Sequence, residues 1–167
     1  MFQILVCLTF SAFASPDVEA LQQTKPDRLD SLLAVANLTD SSPENIQTLI
    51  LVAEQMNRMG RLDESLAYSI KARGLAEKTN NQKGVGNALM ASAGSYIKKG
   101  THQAGIADLD EATKIFTSQN DLIGLGRVNM LRGELYESLS DQPKAYANQL
   151  KALKYFKEGK SDRKSVV

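Results

Sequence analysis

The sequence predicts an all-α protein, an α-solenoid of antiparallel helix hairpins, and three observations carry that prediction. The chain resembles itself at a spacing of 40 residues without a gap. Apolar residues within each repeat recur at three- and four-residue steps, the spacing of one helical stripe. No stretch shows the period-two alternation of a half-buried strand.

The self-similarity is read by setting 43–80 above 83–120 and 123–160. Ala72, Ala112 and Ala152 share a column, as do Met56, Tyr96 and Tyr136. Gly60, Gly100 and Ser140 fall together, Gly84 matches Gly124, and Gly86 matches Gly126. Apolar columns run through Leu66, Ile106 and Tyr146, and through Leu75, Ile115 and Tyr155. A hairpin of this kind cannot bury its apolar face alone, so neighbouring units must stack.

The elements follow in chain order. The opening MFQILVCLTFSAFASP is an apolar run ending in Ala12-Phe13-Ala14, the small-x-small pattern of a cleavage site, so residues 1–15 are expected to be a signal peptide. No Lys or Arg precedes the run, and a buried N-terminal helix is the alternative. The signal implies export to a periplasmic or extracellular space; without it the chain is cytoplasmic. Residues 16–42 should supply a capping helix, over Pro26 to Leu38, and linkers. Unit 1 (43–80) opens with Ser42 as N-cap and Pro43 inside the helix. In unit 2 (81–120), Val85, Leu89, Ala93 and Tyr96 form the first stripe, and Lys98, Lys99 and Gly100 end that helix. Ile106, Leu109, Ala112, Ile115 and Phe116 form the second stripe, with His102 in the turn between. Unit 3 (121–160) repeats the scheme, with Pro143 in the first turn of its second helix. Asp162 to Val166 resembles Asp121 to Leu125, and residues 161–167 are expected to open a fourth first-helix, as in a chain cut short; a basic tail is the alternative.

Small columns mark where paired helices should cross. Ala53, Ala93 and Gly133 on the first helices would face Ser65, Gly105 and Ala145 on the second, because backbones approach closely only where side chains are small.

The order Ala93, Tyr96, Gly100, repeated as Gly133, Tyr136, Ser140, with Ala145 and Ala152 in the following helix, resembles the tetratricopeptide repeat family. The resemblance covers about 43–160. It departs from the family at Leu49, Leu89 and Asn129, where an aromatic is usual, and in a longer unit. The longer variety is similar to repeats in the exported sensory regions of bacterial histidine kinases. The resemblance implies a right-handed superhelix whose first helices line a concave, peptide-binding face. It implies an interaction module with no catalytic activity, either the sensory or docking part of a signalling protein or a stand-alone scaffold. A membrane connection would then come only through a further C-terminal region.

The concave columns that the resemblance implies read Gln47, Asn87, Arg127; Ile50, Met90, Met130; Glu54, Gly94, Glu134; Asn57, Ile97, Glu137; and Arg58, Lys98, Ser138. The expected face is Gln47, Ile50, Glu54, Asn57, Asn87, Met90, Ile97, Lys98, Arg127, Met130, Glu134 and Glu137. Its middle stripe is apolar, and methionines suit a surface that accepts varied side chains. The alternative is that Ile50, Met90 and Met130 pack between repeats. The Lys, Asn and Arg set with which one family subclass grips a terminal carboxylate is replaced by Ile50, Met90, Glu54 and Glu134.

Composition narrows the function classes. Lys+Arg total 20 against 19 Asp+Glu, a net charge of +1, which argues against neutralising nucleic-acid phosphates. With one cysteine, Cys7, and one histidine, no zinc cluster is expected. No cofactor is expected: Gly84-x-Gly86 and Gly124-x-Gly126 lack the preceding strand and following Lys-Ser/Thr of a phosphate loop. Asp108, Asp110 and Glu111 lie on a helix, away from calcium-loop geometry. Glu134 and Glu137 read as a solvated helix face rather than a catalytic pair.

Overall fold

In the computed structural model, which describes residues 28–36 and 41–165, all regular structure is helical. The order is α1 (Arg28–Ala36), α2 (Pro43–Arg58), α3 (Leu62–Lys78), α4 (Gln82–Lys98), α5 (His102–Ser118), α6 (Leu122–Ser138) and α7 (Gln142–Ser165). Each helix packs on the next. Backbone contacts also join α2 to α4 and α4 to α6, whereas the backbones of α3 and α5, and of α5 and α7, stay farther apart, α3 and α5 meeting through the Arg73–Glu111 ion pair. The two helices of each unit and the first helices of successive units therefore form the body of the stack.

Helix ends follow local chemistry. Ser42 caps α2 by accepting the Asn45 N–H at 3.2 Å, with Pro43 as the first helical residue. Asn81 and Asp121 do the same for α4 and α6, each accepting a glycine N–H (Gly84 and Gly124) at 2.9 Å. The chain reverses through left-handed residues: Gly60 and Gly100 at φ of 77° and 76°, then Ser140 at 59°. Asn80 and Asn120 take the same role between units. His102 is the first residue of α5 rather than a turn residue, because the helix starts one step earlier than its apolar stripe indicates. Its Nε2 lies 3.0 Å from Ser138 Oγ.

The small columns meet as expected. Ser65 Oγ donates to the Ala53 carbonyl at 2.7 Å. A Cβ placed on Gly105 would sit 3.4 Å from the Ala93 oxygen, and one on Gly133 would sit 3.6 Å from the Ala145 oxygen. A chain of polar groups threads the first two units: Asn57 Nδ2 donates to Ser95 Oγ at 2.9 Å, and Ser95 Oγ donates to Ser65 Oγ at 2.8 Å. Ser65 and Ser95 are fully buried.

Phe116 fills the space between units 2 and 3. Its ring lies over Gly86 of α4, where a Cβ would be 2.7 Å from Cζ, and against Gly124 of α6. Phe156 covers Gly126 in the same manner, at 2.5 Å. The corresponding positions of unit 1 exchange sizes: Ile46 and Ala76, both buried.

Of the expected capping helix over 26–38, the described residues 28–36 are helical, with Leu29 buried against the stack. The opening of a fourth unit at 161 is not marked by a turn. α7 stays helical through Ser165, and its Gly159 packs against Leu122 and Ile123. The absence of a side chain at 159 lets the helix continue beside α6 at the place where α3 and α5 stop. The expected signal segment, with Cys7, lies outside the described residues, as do 16–27, 37–40 and 166–167.

Candidate functional site

The side-by-side arrangement of α2, α4 and α6 creates one cleft across their shared face, of about 400 Å³. Met90, Ala91 and Leu131 form the apolar floor, with Met130 at the edge. The hollow opens because Gly94 stands in a column that holds Glu54 in unit 1 and Glu134 in unit 3. A Cβ on Gly94 would make ordinary contacts with Asn57 and Leu131, at 3.6 and 3.7 Å, so the space above it is vacant for lack of a side chain.

The walls are charged. Arg127 of α6 reaches over α4, passing Asn87 Oδ1 at 3.2 Å, and closes on Glu54 of α2 at 2.8 Å. Lys98 Nζ donates to the Asn57 carbonyl at 3.0 Å. Arg58 forms no ion pair among the described residues. Glu134 is an exposed residue, but protein crowding around its carboxyl raises its pKa; Lys98 opposes the rise and Glu137 adds to it. The cleft thus presents a locked ion pair, one free guanidinium and a carboxylate with raised proton affinity around an apolar hollow.

The expected residues divide. Glu54, Asn57, Met90, Lys98, Arg127, Met130 and Glu134 line the cleft, and Asn87 supports Arg127. Ile50 and Ile97 do not line it. Ile50 is 1% exposed, covered by packing between first helices, and Ile97 is 6% exposed, pressed toward Gly105 of α5. Glu137 points to α7, where it accepts from Gln149 Nε2 at 2.6 Å, and Gln47 is exposed beyond the cleft. Ala91 and Leu131, absent from the expected face, form part of the floor. Their shared column with Leu51 was the available signal.

The other acidic residues are engaged individually. Asp108 accepts from Ser92 Oγ, Asp110 pairs with Arg132 at 2.6 Å, and Glu111 pairs with Arg73 at 3.0 Å. Glu134 and Glu137 face different helices. Among the described residues there is no group of three or more His, Cys, Asp or Glu placed to hold a metal ion, and no helix long and apolar enough to cross a membrane.

Comparison with family models, with curated proteins and with solved structures returns no match.

Proposed function

We propose that this chain is a tetratricopeptide-type interaction module, a right-handed superhelix of antiparallel hairpins, that binds a protein segment or peptide in the cleft across α2, α4 and α6. The observation that carries the reading is the convergence of residues from all three units on one apolar hollow with charged walls. The packing supports the assignment of the inner face. First-helix backbones touch one another while second-helix backbones stay farther apart, α3 and α5 being bridged by the long side chains of Arg73 and Glu111, so the stack is tighter on the first-helix side and bends toward it.

The lining suggests the ligand's chemistry. An apolar side chain would enter above Gly94 and Met90, an acidic group would meet Arg58, and a cation or hydrogen-bond donor would meet Glu134. The protein binds and does not catalyse. In its biological setting it is the exported sensory or docking part of a bacterial signalling protein such as a histidine kinase.

The test is selection from a displayed random-peptide library with the whole chain, followed by binding to Gly94→Leu. That variant fills the hollow without a backbone clash. Selected peptides should lose about tenfold or more in affinity, equivalent to about 1.4 kcal/mol. Peptides that bind the variant equally well would place recognition elsewhere and refute the reading.

A further inference from the structure

The outward strip of α7 is apolar and open, and at two of its positions it differs in kind from α5. Tyr146, Leu150 and Leu153, on one face at four- and three-residue steps, are 64%, 49% and 50% exposed. In α5 the columns of the two leucines hold Asp110 and Thr113, both of which meet Arg132 of the next first helix, at 2.6 and 3.1 Å. This is the face by which a second helix receives the first helix that follows it. At that position α7 replaces the Asp and Thr of α5 with two leucines. They border a shallow hollow of about 320 Å³ edged by Lys154, Lys157 and Glu158.

We infer that this strip is a second docking surface, separate from the cleft, for an acidic amphipathic helix of a partner protein. The geometry follows from the fold, since the equivalent face of α5 already seats a helix. Charge selects the kind of helix. Between Gln142 and Lys160 the chain carries Lys144, Lys151, Lys154, Lys157 and Lys160 against Glu158 alone, although the whole protein is nearly balanced at +1. Lys157 and Lys160, beside the strip, have no ion pair among the described residues, and Lys154 meets Glu158 only at 3.9 Å. Strip-on-strip pairing of two copies would bring these lysines together. The reversal that returns the chain after α3 and α5 does not occur after Lys160, where α7 continues to Ser165. An acidic helix satisfies both the apolar strip and its basic edge.

The test uses the full chain and two synthetic helical peptides with leucines at i, i+3, i+4 and i+7, one flanked by glutamates and its twin by lysines. The acidic peptide should bind and the basic twin should not. Grafting the interior residues, as Leu150→Asp with Leu153→Thr, should weaken binding about tenfold or more while helicity by circular dichroism is unchanged. Lys157→Glu should weaken it too, as should added salt. Equal binding of the twins, binding unaffected by the graft, or no binding of the acidic peptide would overturn the inference. Loss of binding in Gly94→Leu would assign the peptide to the cleft, also overturning it. A concentration-dependent dimer abolished by Leu150→Asp would show that a second copy covers the strip, overturning the choice of partner.

Discussion

Arg127 and Glu54 stand 73 positions apart and form an ion pair at 2.8 Å that spans the helix between them. A side chain of unit 3 can reach unit 1 only because the first helices are drawn close together. Both groups are partly exposed, so the pair contributes modestly to stability, about 0.5–1 kcal/mol after solvent screening. A double-mutant cycle of Arg127→Met and Glu54→Gln in urea should return a coupling of that size. A coupling of zero would mean that the first helices hold their curvature without it.

Phe116 makes the joint between units 2 and 3. Gly86→Ala places a methyl 2.7 Å from its ring, and overpacking of this kind costs about 1–3 kcal/mol. Phe116→Ala should cost about 3–5 kcal/mol. Because unit 1 holds Ile46 with Ala76 at the matching places, Gly86→Ala should cost little once Phe116 is alanine. Chemical denaturation of the two single variants and the double checks this, and strict additivity would contradict the shared-space explanation.

Ser140 takes a left-handed conformation, at φ 59°, where units 1 and 2 use glycine. The strain of a side chain there outweighs the unfolded-state entropy that glycine adds. Ser140→Gly should therefore stabilise the protein by about 0.5–1 kcal/mol. A higher denaturation midpoint with an unchanged slope is the expected result.

Asp121 caps α6 and meets Lys83 at 2.9 Å. Burial pushes its pKa upward most strongly, but the Gly124 N–H, the Lys83 ammonium and the Ile123 N–H together outweigh it, and the net shift is downward. The unfolded chain thus takes up this proton first as pH falls. The stability from Asp121 is full above the unfolded pKa and is lost as pH falls through the lower, folded value. Asp121→Ala should cost about 1 kcal/mol at neutral pH and progressively less in acid. Asp121→Asn, which restores the cap that Asn81 provides in unit 2, should remove the pH-dependent part. Melting both variants across the acid range reads the difference.

The repeat length, the crossing residues and the Ser42 cap were legible in the sequence because they depend on contacts within one unit, whereas the Asn81 and Asp121 caps were missed. Ser65 with Ala53, and Gly105 with Ala93, are such contacts. The cleft was legible only in part because a column states where a residue sits on its own helix, not what covers it. Ile50, Met90 and Met130 occupy one column, yet they are 1%, 3% and 47% exposed. Ile50 is closed over by packing between first helices, Met90 is buried as the floor of the cleft, and Met130 has no further first helix above it among the described residues. Gly94 shows the reverse effect, since a missing side chain in a column of glutamates leaves room in the site. The continuous run of α7 through Ser165 was hidden because 161–165 mimics a helix start in composition, whereas Gly159 allows uninterrupted packing on α6.

The buried line from Asn57 through Ser95 and Ser65 to the Ala53 carbonyl has a mechanical consequence. Hydrogen bonds inside a core are directional and resist sliding far more than apolar contacts do, and this line binds α2, α3 and α4 while leaving α5, α6 and α7 outside it. Pulled from its ends in an optical trap, the array should yield in two steps, with the C-terminal helices peeling away while α2, α3 and α4 stay locked as one block. Under tension the protein would then behave as a rigid anchor carrying a releasable arm.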